Sequence, residues 1–213
     1  MSQLRRIVMV RHGETVGNSS IRFHGSADVA LSDEGRTHMR EASRTLRQEV
    51  FDLVVASPLR RSWEGAWIVG GGAMVRLVSE FREIDFGRWE GMTAGEIEVS
   101  DPMLFREWQS RVPGFDFPGG EPRADFQARV LQGLEQLQQC RAASVLLVVH
   151  KGIIRSIAEK LLGQALEPDV PGLGAVVALG RGADGRWFQG RHSSNPAALE
   201  AAASESGLEQ QSA

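Results

Sequence analysis

Three short apolar runs that each stop abruptly at polar residues are the strongest constraint on how this chain folds. Ile7 to Val10 is β-branched apart from one methionine and stops at Arg11-His12-Gly13; Phe51 to Ala56 stops at Ser57; Ser144 to Val149 stops at His150. Runs of this length read as strands buried on both faces, as in a parallel sheet covered by helices. Helical patterns separate them. Ser32 is placed to cap a helix with Asp33 and Glu34 in its first turn and Met39, Ala42 and Leu46 on one face. Ser57 followed by Pro58 reads as an N-cap with proline at the first helical position, opening a helix whose Trp63 and Trp67 are expected in the core. A third helix is expected from about Arg123 to Arg141, with Phe126, Val130, Leu134 and Leu137 inward. This alternation predicts an α/β fold, a three-layer α/β/α sandwich around a mostly parallel sheet.

Ligands of such sheets sit in the crevice outside the carboxyl ends of the strands. Three ends here carry functional side chains: Arg11-His12, Ser57 with Arg60 and Arg61 close behind, and His150. From Thr93 to Pro122 the alternation breaks into short helices, one opened by a Thr93/Glu96 capping box, and Pro-Gly turns at Pro113-Gly114 and Pro118-Gly119-Gly120. That segment, about 93–122, reads as a small helical lid inserted over the crevice. Gly70-Gly71-Gly72 lacks the lysine and serine of a nucleotide loop and reads as a turn. With 213 residues, one domain over 1–195 is expected. Residues 196–213 are rich in Ala, Ser, Gln and Glu without an aromatic or positive side chain and are expected to form a mobile tail.

Composition narrows the partners. A hydrophobic fraction of 42% and a charged fraction of 24% are those of an ordinary globular protein. A net charge of -3 provides no general attraction to nucleic acid or anionic membrane, so any anion site must be local. The single cysteine, Cys140, can form neither an internal disulfide nor a thiolate cluster, and no signal-like segment is present, so a cytoplasmic location is expected.

Two histidines and several arginines gathered at strand ends are what a phosphate monoester site requires. Arginine forks match phosphate oxygens bidentately, helix N-termini add backbone donors, and a neutral imidazole can attack phosphorus. Taken singly, His12 or His150 is more often a structural histidine, and Glu83, Arg11 and Arg61 would suit a structural ion-pair network. Their order decides between these readings. Arg11-His12-Gly13-Glu14-Thr15, Asn18, Arg22-Phe23-His24-Gly25, Leu31-Ser32-x-x-Gly35, Ser57-Pro58-Leu59-Arg60-Arg61, Glu83-x-x-Phe86-Gly87-x-x-Glu90-Gly91, Pro118-Gly119-Gly120-Glu121 and His150-x-Gly152-x-x-Arg155 follow one another over roughly residues 5 to 155.

This ordered series resembles the histidine phosphatase superfamily, also called phosphoglycerate-mutase-like. The resemblance implies His12 as nucleophile, Arg11, Arg61 and His150 as a phosphate clamp, and Glu83 as proton donor and later base. Asn18 and Gly25, with the loop between them, would complete the phosphate and substrate rim, where His24 also lies. Lys151 stands where the family often has glycine, and is placed to meet a second anionic group; Pro122 stands where serine often follows Gly-Gly-Glu. Neither a metal nor an organic cofactor is implied, and the partner is a small-molecule phosphate ester. Cofactor-dependent mutases of the family carry a lysine after the Gly91 equivalent and paired arginines after a lid tryptophan. Here Ala94 lies near the lysine position and Gln109-Ser110 follows Trp108. The expected activity is therefore hydrolysis, with a 2,3-bisphosphoglycerate-dependent mutase and a non-catalytic phospho-ligand-binding module as alternatives. His38 and His192 match no motif and are expected at the surface or in packing.

Overall fold

The expected alternation of strand and helix is realised around a six-stranded sheet. A computed structural model describes residues 4–167 and 170–190; the expected tail and His192 lie outside these. The strands are β1 (Arg6–Arg11), β2 (Leu53–Ala56), β3 (Val75–Leu77), β4 (Ser144–Val149), β5 (Val176–Arg181) and β6 (Trp187–Gly190), in the spatial order β3-β2-β4-β1-β5-β6. The first four are parallel, and β5 and β6 add an antiparallel edge.

Side chains leave a strand on alternate faces, and here both faces are apolar. Ile7 and Met9 of β1, with Val145, Leu147 and Val149 of β4, share one core with Phe126, Val130, Leu134 and Leu137 of α5 (Arg123–Gln139) and Ile153, Ile154 and Ile157 of α6 (Lys151–Leu162). Val8, Val10, Leu146 and Val148 face the other way, onto Met39, Ala42 and Ala66 of α1 (Asp33–Thr45) and α2 (Arg60–Val69). The three layers follow from this division. Ser32 caps α1 by accepting from Gly35 N at 3.0 Å.

Two local expectations are corrected. Ser57 does not cap α2. Its Oγ accepts from Leu59 N at 3.2 Å, Ser62 Oγ accepts from Ser57 N at 3.2 Å and donates to the Val148 carbonyl, and the helix begins only at Arg60. The chain is thereby stapled across the strand ends for one more turn. Trp63 and Trp67 are 42% and 59% exposed. Their spacing shows that they share a helix face but not which one; the buried face belongs to Ser62, Gly65, Ala66 and Val69, where a Cβ on Gly65 would meet Met39 Sδ at 2.8 Å.

Residues 93–122 contain α3 (Ala94–Ser100), with the expected Thr93/Glu96 capping box, and α4 (Pro102–Gln109). They rest on an aromatic cluster in which Trp89, fully buried, donates from Nε1 to Asp101 at 2.9 Å and packs near Trp108, Phe115 and Phe117. Phe23 and Phe86, from the loops flanking the strand ends, join it edge-on. Among the described residues no helix is long and apolar enough to cross a membrane.

Candidate active site

Register brings the two histidines together. Arg11 pairs with Val149, so β1 and β4 end level, and His12 N continues the ladder to the Val149 carbonyl at 2.9 Å. The next residue on each strand is a histidine, and the rings lie edge to face with centroids 5.2 Å apart. His12 Nδ1 donates to the Gly13 carbonyl at 2.8 Å, since that oxygen can only accept. The proton thus stays on Nδ1 and Nε2 keeps its lone pair. Burial, then the charges of Arg61 and Arg11, hold His12 well below the usual imidazole range; burial, with Arg61 and His12, does the same to His150. Both rings are neutral near pH 7.

The positive groups are anchored at their tips. Arg61, with no exposed surface, gives Nη1 to the Ala27 carbonyl at 2.6 Å and Nη2 to those of Gly25 and His24 at 2.7 and 3.1 Å. Burial lowers it to about 10, so it remains charged at neutral pH. Arg11 gives Nη1 to the Pro171 carbonyl at 3.0 Å. Arg11 Nε, Arg61 Nε and both ring nitrogens of His150 are buried with no hydrogen-bond partner. Each unpaired buried group costs about 1–3 kcal/mol, and of the two nitrogens of a neutral His150 one is an N–H donor and the other an acceptor. The two guanidinium Nε–H groups and one imidazole N–H match the oxygens of a tetrahedral anion.

Glu83 is the carboxylate of the group. Its carboxylate accepts from Ile84 N and Gly152 N, both at 3.1 Å, the latter in the first turn of α6. Burial pushes its pKa up, against those two hydrogen bonds and the charges of Arg61 and Arg11.

His24 and Gly25 lie in a loop held by two opposite charges. Arg61 binds its carbonyls; Glu90 accepts from Gly25 N at 3.1 Å, Ser26 N at 2.8 Å and Phe86 N at 3.1 Å. A Cβ on Gly25 would meet the Ile84 carbonyl at 1.9 Å, so only glycine lets the loop approach. His24 Nε2 donates to the Gly17 carbonyl at 2.6 Å, leaving Nδ1 buried and unpaired. Asn18 is exposed with φ 58 at a turn of the same loop. Lys151 is half-buried at the first position of α6, next to His150. Thus Arg11, His12, Arg61, Glu83 and His150 converge, His24 and Gly25 border them, and Asn18 lies farther out on the loop.

The description of the histidine phosphatase superfamily (branch 1) matches residues 7–171. This chain belongs to that superfamily. It is 34% identical over 184 residues to the glucosyl-3-phosphoglycerate phosphatase of Mycolicibacterium vanbaalenii, covering 81% of each chain. It is 30% identical over 161 residues to phosphoserine phosphatase 1 of Hydrogenobacter thermophilus, covering 74% of this chain and 76% of the other. In structure it resembles the mycobacterial glucosyl-3-phosphoglycerate phosphatase complexed with inorganic phosphate, at TM-score 0.73 and 30% identity, over 88% of this chain and 96% of that one. Our histidine phosphatase is accordingly a phosphoric monoester hydrolase with the α/β architecture its sequence implied.

Three residues of the candidate site carry no role in the sequence reading. Glu90 lay inside a quoted motif without a role. Glu14 is buried, and its carboxylate accepts from Thr15 N at 2.7 Å and Ser20 N at 3.2 Å. Burial pushes Glu14 up, yet hydrogen bonds from Ser20, Thr15 and Ser19 outweigh it and hold the carboxyl below its usual range. Gly152 is required because a Cβ there would lie 2.5 Å from Glu83 Oε1. A carboxylate or glycine in a fixed place within an ordered motif was the available signal for all three.

Proposed function

We propose that this phosphatase hydrolyses small phosphate monoesters through a phosphohistidine on His12. The observation that carries the reading is the His12 tautomer: Nδ1–H is held by the Gly13 carbonyl, leaving Nε2 as a neutral nucleophile beside Arg11, Arg61 and His150. In the first step Nε2 attacks phosphorus, the ester P–O bond breaks, and protonated Glu83 gives its proton to the departing alcohol. In the second, the Glu83 carboxylate takes a proton from water as the water oxygen attacks the phosphoryl group, releasing phosphate and regenerating His12. The clamp balances the negative charge in both transition states. The guanidinium charges supply the electrostatics often provided by a metal, so the reaction should proceed in excess EDTA. Asn18, His24, Gly25 and Lys151 form the rim that meets the alcohol portion, and residues 93–122, packed on Phe23 and Phe86, close over it as a lid.

The substrates of the two named relatives suggest the test panel. Glucosyl-3-phosphoglycerate and phosphoserine each carry a phosphate and a carboxylate on one three-carbon unit, which would suit Lys151 as a contact for the second anion. Phosphate release should be measured on these, on 3-phosphoglycerate with and without 2,3-bisphosphoglycerate, and on p-nitrophenyl phosphate. His12→Ala should abolish both turnover and an acid-labile phosphoenzyme. Glu83→Gln should lower kcat/KM for alkyl esters by about 10²–10⁴-fold and for p-nitrophenyl phosphate much less, because the aryl oxide leaves without a proton and the later attack of water does not enter kcat/KM. Equal losses on both esters would remove Glu83 from the acid role, and bisphosphoglycerate-dependent isomerisation would make the enzyme a mutase.

A further inference from the structure

Arg129 lies on α5, outside the phosphate clamp, yet it grips the turn that carries Glu83. Its Nη1 donates to the carbonyls of Glu80 at 2.8 Å and Arg82 at 2.6 Å, and its Nη2 to that of Glu83 at 3.2 Å. The Glu80 carbonyl belongs to the short 3₁₀ turn Ser79–Phe81, where the last carbonyls lack partners within the turn, and Arg82 and Glu83 follow directly after it. Glu121 holds the other side of the guanidinium in a fork, Oε1 to Nε at 2.6 Å and Oε2 to Nη2 at 2.7 Å. Glu121 is itself tied to the same segment, its N donating to the Asp85 carbonyl at 3.0 Å. Arg129 also lies over the Phe126 ring, 4.8 Å from the centroid. A Cβ on Gly152 would meet that same ring at 3.1 Å. The main chain of Glu83 is therefore located from α5 and the Gly120-Glu121 turn, while its carboxylate is located from α6.

We infer that Arg129, braced by Glu121, is a positioning residue for Glu83: it sets where the carboxyl stands relative to the departing alcohol. The inference rests on the reading of Glu83 as proton donor. A planar fork reaching three carbonyls and a carboxylate at once is beyond an ammonium, so lysine cannot replace it. A displacement of Glu83 of about 1 Å would cost about 10²-fold in any step that needs its proton. The same displacement would barely affect kcat/KM for an ester whose leaving group needs none, because the attack of water shared by all esters follows the leaving-group step.

The test uses the full chain as wild type, Arg129→Lys, Glu121→Gln, Glu83→Gln and the double variant Arg129→Lys/Glu83→Gln. Melting temperatures identify the folded variants, and kcat/KM is measured on 3-phosphoglycerate and p-nitrophenyl phosphate. The expected result is that Arg129→Lys loses about 30- to 100-fold on the alkyl ester and under about 3-fold on the aryl ester. Glu121→Gln should follow the same pattern more weakly, and the double variant should be little worse than Glu83→Gln alone. Equal losses on both esters, full activity of Arg129→Lys, or multiplying losses in the double variant would overturn the inference while leaving Glu83 in its role. If Glu83→Gln itself fails to separate the two esters, the reading of Glu83 falls and the inference with it.

Discussion

Gly152 shows how little room surrounds the Glu83 carboxylate. A methyl group there would sit 2.5 Å from Glu83 Oε1 and 3.1 Å from the Phe126 ring, and the ring is backed by the core of α5. The carboxylate must move. Yet alanine suits the first turn of a helix better than glycine, by up to about 1 kcal/mol in a helix interior. The propensity gain offsets part of an overpacking cost of about 1–3 kcal/mol, so Gly152→Ala should remain folded while losing about 10-fold or more of kcat/KM on an alkyl phosphate. Competitive inhibition by inorganic phosphate should be unchanged, because Arg11, Arg61 and His150 are untouched. Thermal melting and phosphate inhibition measured on one preparation check this, and weakened phosphate binding would show that the damage extends to the clamp.

At the scale of elements, the loop bearing His24 and Gly25 depends on Glu90. Arg61 binds its carbonyls and Glu90 its N–H groups, so two opposite charges hold the two polarities of one stretch of backbone. Glu90 also accepts from Phe86 N, joining this loop to the aromatic cluster under α3 and α4. A glutamine offers one acceptor and turns an amide donor against N–H groups. Glu90→Gln should cost about 1.5–3 kcal/mol, the range for hydrogen bonds to a charged group. Urea unfolding should show that loss together with a raised KM, since the freed loop carries the rim and the carbonyls that orient Arg61. Lower stability with unchanged KM would limit Glu90 to a packing role.

For the whole molecule, the site imposes a pH dependence on folding. His12 and His150 are held below their unfolded value near 6.5, so the unfolded chain binds more protons as pH falls. Their contribution is complete above about pH 6.5 and is lost as pH drops from there toward the folded values. Glu83, raised by burial, acts in the opposite sense: its effect favours folding at low pH and is lost as pH rises above its unfolded value. Two imidazoles against one carboxyl leave a net loss on acidification, up to about 1.4 kcal/mol per pH unit for each unbalanced group. The urea midpoint should be flat from pH 7.5 to 6.5 and fall toward pH 5.5, with a smaller fall in His12→Gln. A midpoint that rises toward pH 5.5 would contradict neutral histidines in the folded site.

The elements legible in the sequence were those with local causes. β1, β2 and β4 are continuous apolar runs, α1 is announced by Ser32 and α3 by its capping box, and His12 and His150 were visible as the polar residues that end two strands. β3 has an arginine at its centre and three residues in all, and β5 and β6 followed no recognised pattern, so the antiparallel edge appeared only in the fold. The outward face of Trp63 and Trp67 and the late start of α2 were likewise decided by contacts with Met39 and Val148, far away along the chain. The same holds for Glu90, Gly152 and Arg129, whose bonds to Gly25, to the Glu83 carboxylate and to the Glu83 carbonyl span 65, 69 and 46 residues. The sequence by itself determined the three adjacent parallel strands β2, β4 and β1, and which polar side chains stand at their ends, because burial periodicity and capping act over a few residues. Only the tertiary structure decided how those groups are held, because a buried charge finds its partners in three dimensions, wherever unpaired carbonyls and N–H groups meet it.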